Sequence, residues 1–149
     1  MQIAARIGSI NTATQRLELF YAPLALVTRI YVSWVFLKSG WLKLSDWDST
    51  LFLFQEEYRV PLLPPSLAAV TGTAGELIFP ILLIVGLFGR LSALGLQAVN
   101  VLAVISYSHV LLQKGFEAAI AQHYLWGFML LMLIVCGPGR WSVDEVTKS

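Results

Sequence analysis

Four stretches of roughly the twenty residues a bilayer-crossing helix needs, at 23–44, 66–88, 91–112 and 120–136, are apolar almost throughout. A hydrocarbon layer gives backbone amides no outside partner, so helices of this length close their hydrogen bonds internally. The expected fold is all-α: an integral membrane four-helix bundle. Composition agrees, because 57% of the 149 residues are hydrophobic and only 13% are charged. Soluble domains run at roughly 45–50% and 25%. A chain this small cannot hide so much apolar surface in its own core. Ten Lys and Arg against nine Asp and Glu leave no charge excess for a nucleic acid. The single cysteine, Cys136, excludes an intramolecular disulfide.

The connections divide the chain. Residues 1–22 lack a compact apolar stretch followed by a small-residue cleavage site. They are expected to form a cytosolic or interfacial lead-in, not a removed signal. Residues 23–137 form the transmembrane domain, with one long outer loop at 45–65, a tight turn at Gly89-Arg90 and a join at 114–118. Gly137-Pro138-Gly139 stops the last helix, and 138–149 form a tail. The loop sequence LFLFQEEYRVPLLPP mixes bulky apolar residues with charges. It fits either an amphipathic segment in the outer interface or a lid over the bundle.

Cations near span ends set orientation. Arg6, Arg16, Arg90, Arg140 and Lys148 fall on one side; Lys43, Arg59 and Lys114 fall on the other. The excess places both termini in the cytoplasm.

Polar side chains inside the spans are expensive and need partners. Glu76 lies mid-span in the second helix and Arg29 within the first, so an interior Arg29–Glu76 pair is expected. At 100° per residue, Arg29, Ser33, Phe36, Gly40 and Lys43 share one stripe of the first helix. Tyr31, Trp34, Lys38 and Trp41 share another. Lys43 is expected to reach the outer interface by its stem. Gln97, Asn100 and Tyr107 share a face of the third span, where interhelical hydrogen bonds alone would explain them. His109 and His123 sit at similar depth on facing spans. Opposed histidines are haem or metal geometry, but no third ligand is spaced to join them, so no metal site is assigned. A quinone headgroup bonded by one histidine is the better reading. No nucleotide loop, CxxC or HExxH motif and no nucleophile–base pair is present, so catalytic residues are unassigned.

Three stretches carry a resemblance: LKSGWLKL at 37–44; Gly75-Glu76-Leu77 with Pro80 and the LLIVGLFGR that follows; and GPGRWSVD at 137–144. Together they resemble the DoxX family of small four-helix membrane proteins. The pattern covers residues 24–144. Its residues here are Gly40, Lys43, Glu76, Arg90, Gly137, Gly139, Arg140 and Asp144. The resemblance implies a multi-pass protein of the bacterial inner membrane. It implies an accessory role in a quinone-linked redox or oxidative-stress system, since founding members belong to a membrane complex passing electrons from thiosulfate to quinone. The expected partners are the bilayer and a further membrane or soluble protein, and an oligomer is compatible.

Two functional expectations follow. In the first, a quinone occupies a cavity lined by Arg29, Glu76, Asn100, Tyr107 and His123, with Glu76 relaying a proton. In the second, the chain is a non-enzymatic scaffold or a small-solute transport subunit, and Arg29–Glu76 is only a clasp. At the other end of the bundle, Arg90 or Arg140 is expected to pair with Asp144 and pin the tail.

Overall fold

The computed structural model describes residues 2–147, with side chains described from Leu19 onward. All of its regular structure is helical: α1 (Gln2–Ser45), α2 (Trp47–Glu56), α3 (Pro65–Val85), α4 (Gly89–Ser106), α5 (Ser108–Leu111), α6 (Glu117–Cys136) and α7 (Val143–Val146). Four segments are long and apolar enough to cross a membrane: Leu19–Ser45, Pro65–Val85, Gly89–Ser106 and Glu117–Cys136. α1 packs along α3, α3 against α4 and α4 against α6, and α6 touches α1 to close the bundle. Of the cations used for orientation, Lys148 lies outside the described residues, and the side chains of Arg6 and Arg16 are not described.

Helical periodicity decides which residues meet. The Arg29, Ser33, Phe36 and Gly40 stripe of α1 is buried, whereas Tyr31, Trp34, Lys38 and Trp41 face outward. Ala25, Val32 and Phe36 join Leu83, Ala93, Leu96, Leu130 and Leu133 in one core. The outer faces stay apolar, with Ile78, Ile81, Leu94, Leu125 and Phe128 among the exposed large residues. Such a surface suits lipid as the surrounding solvent.

Three boundaries differ from expectation. The turn between the second and third spans comes earlier than Gly89-Arg90. Gly86 ends α3 in the left-handed conformation (φ 77°), and Leu87 N–H reaches back to Leu82 O at 3.0 Å. This is a Schellman closure, so Gly89 already begins α4. The third span ends at Ser106, not at 112, because Ser106 O is taken by Arg59 N at 3.0 Å and Val110 N turns to Tyr107 O. Residues 45–65 are not an open loop. Asp46 Oδ1 accepts Ser49 N–H at 3.1 Å and starts α2. Phe54 then packs on Ala68 and Ala69 of α3. The segment therefore packs on the bundle.

The end of the bundle bearing the C-terminal tail is tied by hydrogen bonds. Gly137 (φ 91°) ends α6, and the following turn tucks its carbonyls under Arg29. Arg29 Nη1 donates to Pro138 O at 2.8 Å, and Nη2 donates to Trp141 O at 2.8 Å and Ile84 O at 3.3 Å. Asp144 N–H binds Gly86 O at 3.0 Å. Its carboxylate accepts Phe88 N–H at 2.8 Å and Gly89 N–H at 2.6 Å. Among the described residues no ion pair joins Asp144 to Arg90 or Arg140, so the expected arginine pin is corrected. The free amides of the α4 N-terminus are the natural site for a carboxylate, and both arginines stay exposed.

Two predictions arise here. Asp144→Ala removes a cap on two amides and is expected to cost about 0.5–2 kcal/mol. It is read as a lower unfolding midpoint in detergent and faster proteolysis of the tail. Gly86→Ala is expected to cost more. The left-handed backbone alone penalises a side chain by about 1–2 kcal/mol. A Cβ there would also lie 2.5 Å from Ser142 Cβ and 2.8 Å from Arg29 Nη1. Thermal unfolding of the two variants side by side checks the order.

Candidate functional site

At the opposite end, α1, α3, α4 and α6 enclose a cavity of about 530 Å³, roofed by Phe54 of α2 and by Tyr58, Val60 and Leu63 of the segment after it. Its walls are mostly apolar: Val35, Phe36, Val99, Leu102 and Trp126. The polar groups cluster, with Lys43, Glu76, Ser39, Tyr58, Tyr107 and His123 among the lining side chains.

Close helix packing sets up the ion pair. A Cβ on Gly40 would come 3.0 Å from Glu76 Cβ, so the bare glycine lets α1 and α3 approach at that level. Lys43, one turn on, folds back over the contact. Its Nζ lies 2.7 Å from Glu76 Oε1, 2.6 Å from Oε2 and 2.9 Å from Ser39 Oγ. The expected Arg29–Glu76 pair is therefore not formed. Arg29 lies eleven residues before Gly40, about 16 Å down the helix, where its guanidinium is beside Gly86 instead. Nor does Lys43 reach outward; its side chain is 18% exposed and that of Glu76 9%. Pro80 lacks an N–H, so the backbone carbonyl of Glu76 also loses its donor four residues on.

Asn100 and His123 form the second polar unit. Asn100 Nδ2 donates to His123 O at 3.0 Å, and Asn100 Oδ1 lies 2.8 Å from His123 Nδ1. The first bond fixes which end of the amide is oxygen. The second therefore has Nδ1–H as donor, and in the neutral ring Nε2 carries the lone pair. The imidazole also meets Trp126 edge-on, with centroids 4.9 Å apart.

The third unit is aromatic. Tyr58 stacks edge-on with Phe54 at 4.9 Å and with Tyr107 at 5.3 Å. Burial first, then Tyr107, Glu76 and Glu57, push the Tyr58 phenol above its ordinary value of 10.0.

Of the residues singled out from sequence, Glu76, Lys43, Tyr107 and His123 line this cavity and Asn100 stands directly behind His123. Arg29 does not line it; it belongs to the tail end with Arg90, Gly137, Gly139, Arg140 and Asp144. His109 does not line it either. It rests on Tyr107 with centroids 5.6 Å apart, so the two histidines do not form a facing ligand pair. Tyr58, Trp126 and Phe54 were missed. Tyr58 and Phe54 sit in a segment without a span's periodicity, and an aromatic in an apolar span carries no signal of its own.

A profile of the DoxX family matches residues 24–109 of the chain. A protein of Haemophilus influenzae described only as uncharacterized is 29% identical over 130 residues, covering 83% of this chain and 82% of its own length. No solved structure matches.

Proposed function

The chain belongs to the DoxX family, and from that premise we propose that it is a multi-pass protein of the bacterial inner membrane that binds a quinone-type ligand, as an accessory subunit of a redox or oxidative-stress system. The observation that carries this reading is the cavity. Its volume of about 530 Å³ falls within the roughly 300–1,000 Å³ of small-molecule sites. It also has the usual chemistry of such sites: apolar walls and a few convergent polar groups. A ligand that is an apolar ring with polar substituents matches both parts.

When bound, a quinone supplies two-electron, two-proton chemistry. The chain's own residues would bind, orient and exchange protons. Val35, Phe36, Val99 and Leu102 exclude water from a ring. Lys43, Glu76 and His123 provide charge and lone pairs at one end of it. Tyr58 and Phe54, on the roof, close the cavity from above. Electrons would reach such a ligand through a partner protein, consistent with an accessory role.

Trp126 lines the cavity, so occupancy quenches its share of the emission of the five tryptophans, and the share is isolated by difference against the cavity-filled variant below. Detergent-purified protein is titrated with a short-chain benzoquinone, and a parallel sample is solvent-extracted for retained quinone. The expected result is saturable quenching that is lost in the cavity-filling variant Ala103→Phe. Folded protein that neither retains nor binds a quinone would overturn the reading and move the chain to scaffold or transport roles.

A further inference from the structure

The cavity's hydrogen-bonding inventory is unbalanced. Lys43 has three ammonium protons, and three acceptors within 2.9 Å take them: Ser39 Oγ and both oxygens of Glu76. The Thr71 hydroxyl donates to Leu67 O at 2.8 Å and the Ser106 hydroxyl to Leu102 O at 2.6 Å. Those two lining hydroxyls therefore offer a ligand only lone pairs. His123 directs Nδ1–H at Asn100, which does not line the cavity, so the ring edge left for the cavity carries the Nε2 lone pair. Each Glu76 oxygen accepts from Lys43 and keeps a further lone pair. The Ser39, Tyr58 and Tyr107 hydroxyls can donate, and each accepts as well. The unpartnered Trp126 Nε1–H is the one lining group, among the described residues, that can only donate and is not already taken up. Lining groups left only to accept (both Glu76 oxygens, His123 Nε2 and the Thr71 and Ser106 oxygens) outnumber the one left only to donate, the Trp126 N–H.

We propose that this cavity selects a ligand bearing hydrogen-bond donors, and so holds the hydroxylated, reduced form of a quinone, a quinol headgroup, in preference to the carbonyl form. This rests on the reading of the cavity as a quinone-type site. A carbonyl oxygen placed against Glu76 or His123 Nε2 brings acceptor against acceptor and leaves buried lone pairs unmet. A hydroxyl in the same place donates. Sites built around one hydrogen-bonding pattern discriminate strongly against an analogue lacking it, because their buried polar groups are left unpaired. Asn100 is a positioning residue here, because it touches no ligand and acts by fixing the tautomer of His123.

The test compares three probes on the intact protein under anaerobic conditions: a short-chain hydroquinone, its quinone, and its dimethyl ether. Trp126 fluorescence is the readout, with free concentrations corrected for partitioning into detergent. The hydroquinone is expected to bind at least tenfold more tightly than the other two. A tenfold preference corresponds to a midpoint potential about 30 mV more positive for the bound two-electron couple. In Asn100→Leu the ratio is expected to fall towards one while quinone affinity is held; a merely structural role would weaken all three probes together. Quinone binding as tight as hydroquinone binding would overturn the donor preference and leave the quinone-type site standing. Failure of all three probes to bind folded protein would overturn both. The comparison of probes on the unmutated chain stands whether or not Asn100→Leu folds.

Discussion

Arg29→Leu is expected to abolish accumulation of folded protein. Arg29 is 1% exposed, and its guanidinium joins three carbonyls from two separate segments, Ile84 on α3 and Pro138 and Trp141 in the turn after α6. A buried acceptor that loses its donor costs about 1–3 kcal/mol. Three such losses approach the whole stability of a typical domain, about 5–15 kcal/mol. Arg29→Lys is expected to rescue little, because one ammonium cannot reach acceptors that a planar fork reaches together. Yield of monodisperse protein after size exclusion in detergent, and the unfolding midpoint of whatever survives, decide it. Near-normal yield of Arg29→Leu would show that the tail docks without this residue.

Glu76→Leu and Lys43→Met are each expected to destabilise strongly, and the double variant is expected to recover most of the loss. Removing one partner of a buried ion pair costs about 3–5 kcal/mol, because the other charge is stranded. Replacing both by apolar residues of similar volume is often near neutral. Here the pair faces a cavity and the Lys43 side chain is 18% exposed, so the single losses should fall near the lower figure. The double variant separates two roles that the single variants confuse. If Lys43 and Glu76 only clasp α1 to α3, the recovered protein binds ligand as before. If they form the polar end of a site, it is stable and ligand affinity drops by at least tenfold. Thermal unfolding and Trp126 quenching on the same four proteins give both numbers.

Much of this was legible from the chain. The 3.6-residue period grouped Arg29, Ser33, Phe36, Gly40 and Lys43 on one stripe of α1 and Tyr31, Trp34, Lys38 and Trp41 on another, and the fold turns the first stripe inward and the second outward. What the period does not encode is the vertical offset between helices. Matching span centres set Arg29 against Glu76. In the fold, α2 covers the first turns of α3 through Phe54, Ala68 and Ala69, and Gly40 lies against Glu76. The signal was available in Gly40, since a small residue within a span lets a neighbouring helix come close. Asp144 was recognised as an anchor but assigned to the wrong charge. Gly86 and Gly89 bracket a helix start whose free amides form a carboxylate site. Tyr58 stayed hidden because long-range packing, not local pattern, brings its ring to Tyr107.

The central claim is that a ligand occupies the cavity between Lys43–Glu76 and His123. Photolabelling tests it most directly: membranes containing the protein are irradiated with an azido-quinone, and adducts are mapped by peptide mass analysis. The account predicts adducts on cavity residues Tyr58, Tyr107 and Trp126, suppressed by excess unlabelled quinol. Adducts spread over outward-facing Tyr31, Trp34 and Tyr124, unaffected by competitor, would contradict it.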